Sequence, residues 1–298
     1  MGQSSVSCIA LAKVFIVAGP TASGKSAFAY RLAQEKNGVI LNGDSLQLYR
    51  GLEILTAQPP AEAQKEVSHR LYGFLDPCET CSVGKWLSLA LIEIENIQKE
   101  GQVPIVVGGT GFYLKVLLEG ISSLPSVNPS FRQELQDQKR PQESLYAELQ
   151  AVDPELAVRI NARDRQRTLR GLEVFYGTGK PLSYWQSQKP KPFPYEFEKI
   201  LLLPSKEDIH IRIKNRLETM LTNGVLEEVA NVLTRPLSSN AMKAIGLREF
   251  GSFLQGSCSL EEAKELVFFH TCQYAKRQRT WFRHQFKPNL IDENGLIK

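Results

Sequence analysis

The stretch that most constrains this chain is Val14–Ser26, which reads VFIVAGPTASGKS. Five mostly apolar residues lead into Gly-x-x-x-x-Gly-Lys-Ser, the spacing of a phosphate-binding loop. This motif needs a buried strand before the loop and a helix after it, so we predict that a helix begins near Lys25. Backbone N–H groups, the helix N-terminus and the Lys25 charge can then surround a phosphate, and the Ser26 hydroxyl can hold Mg²⁺. The motif predicts a phosphate ligand but leaves open which molecule carries it.

Apolar runs and helical patterns alternate through the first 120 residues. We predict helices at 27–36, Trp86–Gln98 and Phe112–Leu118, and strands at Val39–Leu41, His69–Asp76 and Pro104–Val107. This alternation is typical of parallel strands joined by right-handed helical crossovers. The sequence therefore predicts an α/β fold with a P-loop NTPase-like parallel sheet.

The pattern changes after Gly120, where a proline-containing loop leads into a polar and helical stretch. A buried run at 200–203 is typical of a strand that returns to the first sheet. Helical patterns follow at 206–234 and 260–286. We therefore predict a catalytic core of residues 1–121 and 196–298, interrupted by a helical insertion domain at 122–195.

Two residues stand at predicted strand ends, where open α/β sheets bind their ligands. Asp44 follows the second strand and could be a Mg²⁺ ligand, a general base or simply a turn residue. No clear Walker B segment competes with it. Thr110 lies in a second glycine loop, VVGGTGFY, after another buried strand. Two such loops could contact a diphosphate from both sides, although an ordinary glycine turn explains the second one equally well.

Basic residues cluster in two predicted helices. Arg163, Arg167 and Arg170 share one helix face by their spacing, which favours either a nucleic-acid phosphate backbone or a solvated surface. The last helix carries Lys276, Arg279 and Arg283 on one face, with aromatic residues between them. That face could turn towards a polyphosphate or towards solvent. Weaker candidates of the same kind are His210, Arg212 and Arg216.

Composition sets outer limits on function. The chain has 298 residues, a net charge of +4 and no apolar run near the roughly 20 residues that would span a bilayer. A charge this small means that any nucleic-acid surface must be a local cluster. Five cysteines without a second metal-type pair beside Cys78 and Cys81 favour free thiols in a reducing cytoplasm. We expect no signal peptide, because the first apolar run is the P-loop strand.

Several motifs occur together in the order of a known family. They are GPTASGKS (19–26), GDSLQLYRGLEILTAQP (43–59), HRLYGFLDP (69–77), VGGTGFYLKVLL (107–118), LPSVNPSFR (124–132), DRQRTLRGLEVFYGTGKPLS (164–183), KAIGLREF (243–250) and KRQRTWFR (276–283). In these segments, which span almost the whole chain, the sequence resembles the tRNA dimethylallyltransferases. The DS-x-Q-x-Y and KRQ-x-TW-x-R segments distinguish this family from P-loop kinases.

The resemblance implies transfer of a dimethylallyl group from its diphosphate to N6 of adenosine 37 in the tRNA anticodon stem-loop, with Mg²⁺. It implies catalytic roles for Asp44, as base, and for Thr110 and Lys25. The diphosphate would contact Gly19, Pro20, Thr21, Ala22, Ser23, Gly24, Lys25, Ser26, Arg212, Arg216, Lys276, Arg279 and Arg283. The tRNA would contact Asp44, Ser45, Leu46, Gln47, Thr110, Arg132, Gln166, Arg167, Thr168, Leu169, Arg170, Lys243, Gly246 and Arg248. We expect a cytoplasmic monomer that does not bind membranes.

The sequence departs from the family pattern at Leu55 and Gln58, where the family has glycine and lysine in G-T-A-K-P, and at Lys85 or Trp86, where the family commonly has an acidic residue. The changes in G-T-A-K-P place a local loop or RNA contact in doubt and leave the chemistry unaffected. Three alternatives remain open: a P-loop small-molecule kinase, a transferase that prenylates free adenine nucleotides, and a non-catalytic nucleotide-dependent RNA-binding protein.

Overall fold

A computed structural model describes residues 12–122, 124–125, 127–128, 131, 134–135, 140–188, 190 and 192–293. The chain divides into two compact units. One unit is Met1–Leu118 together with Phe193–Lys298, and the other is Glu119–Pro192.

The first unit is built on a six-stranded sheet in which every pair of neighbouring strands is parallel. Its strands are β1 (Ala12–Ala18), β2 (Gly38–Asn42), β3 (His69–Arg70), β4 (Val103–Gly108), β5 (Tyr195–Leu202) and β6 (Leu290–Asp292). Their spatial order is β3-β2-β4-β1-β5-β6. The α/β parallel sheet predicted from the sequence is therefore confirmed, and all strand carboxyl ends meet at one edge.

Helices connect these strands and form the second unit. They are α1 (Lys25–Lys36), α2 (Ala61–Glu66), α3 (Val83–Lys99), α4 (Gly111–Glu119), α5 (Gln142–Val152), α6 (Pro154–Arg159), α7 (Arg165–Thr178), α8 (Leu182–Ser187), α9 (Lys206–Thr222), α10 (Val225–Val232), α11 (Leu247–Leu254) and α12 (Leu260–Gln285). A 3₁₀ turn, Ala241–Lys243, precedes α11. Within the described residues, none of these helices is long and apolar enough to cross a membrane.

Strand β1 shows how the sheet becomes buried on both faces. Val14 and Ile16 pack into one hydrophobic cluster, whereas Val17 packs into another on the opposite face. This alternation follows from the two-residue period of a strand. All three residues are fully buried, as expected for a parallel sheet covered by helices on both sides.

Two predicted elements are shorter than their sequence patterns indicate. The strand predicted at His69–Asp76 ends at Arg70, because Leu71 adopts a left-handed backbone with φ 65°. The helical pattern at 206–234 is interrupted at Gly224, whose φ of 88° separates α9 from α10. In both places the local backbone conformation overrides a continuous apolar pattern.

The unit Glu119–Pro192 has a hydrophobic core of its own, formed by leucines of α5, α6 and α7. Asp153, which is fully buried, accepts hydrogen bonds from the N–H groups of Leu156 (3.0 Å) and Ser183 (2.9 Å). One carboxylate therefore caps α6 and ties α8 to it.

Candidate active site

Three neighbouring strand ends bring the predicted catalytic residues together. The phosphate loop follows β1, Asp44 follows β2 and Thr110 follows β4, and these strands are adjacent in the sheet. The Gly43 N–H donates to the carbonyl oxygen of Val107 at 2.7 Å, and the Ser45 N–H donates to Oγ1 of Thr110 at 3.0 Å. The order of the strands thus places Asp44 and Thr110 beside each other.

Close contact between two of these loops depends on glycine. A Cβ atom at Gly108 would lie 2.1 Å from the carbonyl oxygen of Gly43. No side chain fits at that distance, so the backbones after β2 and β4 approach each other only because position 108 is glycine.

A cavity of about 430 Å³ opens at this edge of the first unit. Its lining combines the phosphate loop, Arg216 and Asp44 with apolar side chains. The residues that line it are Thr21, Ala22, Ser23, Gly24, Lys25, Ser26, Ala27, Asp44, Leu46, Gln47, Leu55, Thr56, Ala57, Gln58, Pro59, Pro60, Arg216, Met220, Ala244, Ile245, Val267, Thr271 and Tyr274. A ligand with a charged head and an apolar tail would match this lining.

Lys25 stands at the first turn of α1, directly after Gly24. Gly24 has a φ of 91°, a left-handed conformation that allows the loop to turn into the helix. The Lys25 ammonium donates to the carbonyl oxygen of Pro20 at 3.2 Å. Burial lowers the pKa of Lys25 to about 8; Asp44 partly opposes this effect, and Arg216 adds to it. An anion bound in the loop would supply the counter-charge that this environment lacks.

Residues from the C-terminal part of the chain hold the phosphate loop in place. Gln278 of α12 accepts from the Thr21 N–H at 2.8 Å and donates to the carbonyl oxygen of Gly109 at 2.7 Å. Two arginines of α9 also contact the loop: Arg216 donates to Oγ1 of Thr21 (3.0 Å) and Arg212 to the carbonyl oxygen of Ser23 (2.9 Å). One buried side chain, Gln278, therefore bridges both glycine loops. The sequence analysis did not single out this residue, although it lies within the KRQRTWFR motif.

These contacts determine which groups of the loop are available to a ligand. The Thr21 N–H bonds to Gln278, and the Ser23 N–H bonds to the carbonyl oxygen of Pro20 at 3.2 Å. By contrast, the Ser23 hydroxyl is buried and has no hydrogen-bond partner among the described residues. A buried hydroxyl without a partner is unfavourable by about 1–3 kcal/mol, and a phosphate oxygen could satisfy it.

Asp44 is held by a local network at the end of β2. Its N–H donates to Oδ1 of Asn42 at 2.7 Å, and its own Oδ1 accepts from the Leu46 N–H at 3.0 Å. Tyrosines surround the carboxylate: burial, with a contribution from the charge of Asp44, raises the pKa of both Tyr72 and Tyr274. These phenols therefore stay protonated at neutral pH and can act as hydrogen-bond donors.

The segment that departs from the family pattern forms one wall of the cavity. Leu55 and Ile54 donate their N–H groups to the carboxylate of Glu228, each at 2.8 Å, and burial raises the pKa of Glu228. Gln58 donates to the carbonyl oxygen of Tyr49 at 2.8 Å. The side chains at both of these positions are therefore built into the turn and line the cavity.

Gln47, which was expected to contact RNA, holds the same wall. Its amide donates to the carbonyl oxygens of Thr56 (2.8 Å) and Ala57 (2.9 Å). Its neighbours Ser45 and Leu46 are partly buried at the same edge.

Four cations predicted to contact the diphosphate lie outside the cavity lining; they are Arg212, Lys276, Arg279 and Arg283. Arg279 donates to the carbonyl oxygen of Pro204, while Lys276 and Arg283 are exposed. None of these three α12 residues lines the cavity, whose cations are Lys25 of α1 and Arg216 of α9. A helical wheel cannot determine which face of α12 turns inward, and the inward-facing polar residue is the neutral Gln278.

The residues predicted to contact tRNA in the second unit differ in exposure. Arg163 precedes α7 and so does not share its face, because Asp164 caps the helix. Thr168 and Leu169 are buried, whereas Gln166 is exposed and the Arg167 side chain is 70% exposed. The side chains of Thr168 and Leu169 therefore support the helix from inside.

The remaining RNA candidates are distributed as follows. Arg170 pairs with the buried Glu173 at 3.0 Å, which gives it a structural partner. Lys243 and Arg248 are exposed in the first unit, and Gly246 is buried. Arg132 lies outside the described residues.

Comparisons with known proteins agree on one family. A sequence model described as IPP transferase matches residues 47–285. The tRNA dimethylallyltransferase of Bartonella henselae is 45% identical over 279 residues, which covers 92% of this chain and 96% of that protein. The corresponding protein of Rhodopseudomonas palustris is 42% identical over 281 residues, with 92% and 86% coverage.

Solved structures extend this similarity to three dimensions. The crystal structure of a tRNA isopentenylpyrophosphate transferase from Bacillus halodurans has a TM-score of 0.67 and 31% identity, covering 94% of this chain and 89% of its own. A eukaryotic dimethylallyltransferase acting on tRNA has a TM-score of 0.83 and 28% identity, covering 96% and 75%. Since the family match spans most of the chain and the parallel sheet is shared with these enzymes, this chain belongs to the IPP transferase family, with its P-loop NTPase-like α/β fold.

Proposed function

We propose that the protein transfers a dimethylallyl group from dimethylallyl diphosphate to N6 of adenosine 37 in tRNA and releases diphosphate. The observation that carries this proposal is the mixed lining of the cavity, in which Lys25 and Arg216 occur together with apolar side chains such as Met220 and Val267. A short apolar chain attached to a diphosphate complements both kinds of side chain. Membership in the IPP transferase family supports the proposal.

The phosphate loop would bind the leaving group. Lys25 supplies a positive charge, the α1 N-terminus supplies its N–H groups, and the unpartnered Ser23 hydroxyl supplies a further donor. Negative charge develops on the diphosphate as its bond to the allylic carbon breaks, so donors fixed in advance favour the transition state. Arg216, which also lines the cavity, would add a second positive charge.

Asp44 would act as the general base. In the reaction, the N6 nitrogen forms a bond to the allylic carbon while the bond between that carbon and the diphosphate oxygen breaks. The nitrogen thereby becomes positively charged, and its proton passes to the Asp44 carboxylate. Thr110, which accepts from the Ser45 N–H at 3.0 Å, would orient the same loop and contact the acceptor base.

We propose Mg²⁺ as the metal. Its fit rests on the Ser26 hydroxyl, which lines the cavity at the first turn of α1. The described residues hold no group of three or more His, Cys, Asp or Glu side chains that could bind a metal by themselves. Mg²⁺ is commonly held by one or two protein oxygens together with phosphate oxygens, and this arrangement fits a lone hydroxyl beside a diphosphate. Bound there, the ion would neutralise charge on the leaving group.

The tRNA contacts are proposed for the exposed cations. Arg167 and Gln166 would bind RNA from the helical insertion at 122–195, and Lys243 and Arg248 from the core at 1–121 and 196–298. A base in the anticodon loop must leave its stack to reach an enclosed site, so an insertion that grips RNA is expected. We propose that the protein acts as a monomer.

The test is single-turnover transfer of a labelled dimethylallyl group to tRNA by Asp44→Asn, measured over a series of Mg²⁺ concentrations. Loss of a general base typically lowers the rate by about 10²–10⁴-fold. We expect this loss at every Mg²⁺ concentration, with diphosphate affinity unchanged. The matched control is Asp76→Asn, which alters a carboxylate that pairs with Arg235 and does not line the cavity.

Three outcomes would contradict parts of the proposal. Rescue of the Asp44→Asn rate by Mg²⁺ would make Asp44 a metal ligand instead of a base. An unchanged rate would leave it a turn residue. Transfer to free AMP with no transfer to tRNA would favour the alternative of an adenine-nucleotide prenyltransferase.

A further inference from the structure

Asn42 is the last residue of β2 and is fully buried. We propose that Asn42 is a positioning residue for the transfer reaction, which fixes the backbone of Asp44 so that one carboxylate oxygen stays free for the acceptor amine. The inference rests on the proposed role of Asp44 as base.

The Asn42 amide bonds to the backbone of Asp44 on both sides of that residue. Its Oδ1 accepts from the Asp44 N–H at 2.7 Å, and its Nδ2 donates to the carbonyl oxygen of Asp44 at 3.0 Å. The same Nδ2 donates to the carbonyl oxygen of Leu71 at 3.0 Å. Three of the four hydrogen-bonding positions of this side chain are therefore used, two of them on the backbone of Asp44.

The backbone of Asn42 is itself anchored in the buried core. The carbonyl oxygen of Asn42 accepts from Nε1 of Trp86 at 2.9 Å, and Trp86 is fully buried. The Trp86 ring stacks on Tyr113 with a centroid distance of 4.5 Å. Asn42 thus links Asp44 to the core beneath the sheet edge.

The two carboxylate oxygens of Asp44 differ in their hydrogen bonds. Oδ1 of Asp44 accepts from the Leu46 N–H at 3.0 Å, whereas Oδ2 accepts no hydrogen bond from the described residues. Oδ2 faces the second glycine loop, 3.4 Å from the position of a Cβ at Gly109. One oxygen is held and the other is available to a substrate proton.

The experiment compares Asn42→Ala and Asn42→Ser, each in the wild-type and the Asp44→Asn background. Single-turnover transfer is measured with saturating tRNA and dimethylallyl diphosphate. Displacement of a reacting group by about 1 Å can lower a rate by about 10²-fold, and we expect a loss of that order for Asn42→Ala. Serine can still accept from the N–H two residues ahead, so Asn42→Ser should recover part of the rate.

Two further readouts separate positioning from general stability. Affinity for dimethylallyl diphosphate, measured by calorimetry, should stay within about twofold, since the Asn42 side chain bonds to Asp44 and Leu71 and to no residue of the P-loop. In the Asp44→Asn background, Asn42→Ala should cause no further loss of rate, because no base remains to be positioned. The control is Ile97→Val, which weakens the core at a fully buried residue outside the cavity lining and should leave the rate unchanged.

The outcomes are distinguishable. Full activity of folded Asn42→Ala, or of Asn42→Leu if the alanine variant does not fold, would overturn the inference. Equal losses in both backgrounds would overturn it as well, because the effect would then not pass through Asp44. A wild-type rate for Asp44→Asn alone would refute the proposed base, and with it the role of Asn42.

Discussion

Binding of dimethylallyl diphosphate is expected to take up a proton at Lys25 and to weaken above pH 8. Burial, with a smaller contribution from Arg216, lowers the pKa of Lys25 from 10.5 to about 8, although the charge of Asp44 opposes the shift. The protonated amine attracts the diphosphate and the neutral amine does not. Below pH 8 the positive charge of Lys25 is already present. Above pH 8 Lys25 must take up a proton when the ligand binds.

The size of the effect follows from that pKa. Between pH 7 and pH 9 the protonated fraction of Lys25 falls from about nine-tenths to about one-tenth, so the dissociation constant should rise about tenfold. At pH 8 half of the molecules lack the proton, so binding should take up about half a proton per ligand. Binding takes up a proton and does not release one, because the ligand raises the pKa of Lys25, which burial has lowered.

Titration calorimetry in two buffers of different ionisation enthalpy measures the proton uptake directly. The control is Lys25→Arg, whose guanidinium stays charged throughout this range. The ionisation of the diphosphate itself is common to both proteins and cancels in the difference. Identical pH dependence in wild type and Lys25→Arg would refute the assignment of a lowered pKa to Lys25.

Two further predictions concern Gln278 and Arg167. Gln278→Leu removes both hydrogen bonds between α12 and the glycine loops, so the free energy of unfolding should fall by about 1–3 kcal/mol in urea titrations and the affinity for diphosphate should drop. Gln273→Leu, at an exposed position of the same helix, should change neither quantity, and equal behaviour of the two variants would contradict the bridging role. Arg167→Gln should reduce the slope of log affinity for tRNA against log salt by about one, whereas exposed Arg31→Gln on α1 should leave it unchanged; an unchanged slope for Arg167→Gln would return that residue to a solvated surface.

The sheet was predictable because its central strands are continuous apolar runs that end in glycine or polar residues. The order of strand ends then brings the P-loop, Asp44 and Thr110 to one edge, as the pattern indicates. The prediction failed at Leu71, where a left-handed backbone ends β3 after two residues. Nothing in an apolar stretch reports such a conformation, because the surrounding tertiary structure imposes it.

The directions of the helix side chains were harder to predict than the sheet. The pattern of α12 marks Lys276, Arg279 and Arg283 as one face, but only packing decides whether that face meets the phosphate loop. The structure turns Gln278 inward, since an amide can both accept from and donate to two buried backbone groups, which a cation cannot do. The sequence did not predict the role of Asn42 either, because that role depends on short-range hydrogen bonds that composition does not reveal.

Gln278 is 257 residues away from Thr21 in sequence. During synthesis the phosphate loop therefore leaves the ribosome well before the side chain that joins it to the second glycine loop. Contacts between such distant segments require closure of a long chain and form late in folding. A chain that stops before α12 would contain the entire P-loop motif and Asp44 without the bridge that holds the two glycine loops together. Such a shortened chain is therefore expected to bind diphosphate more weakly than one that includes α12.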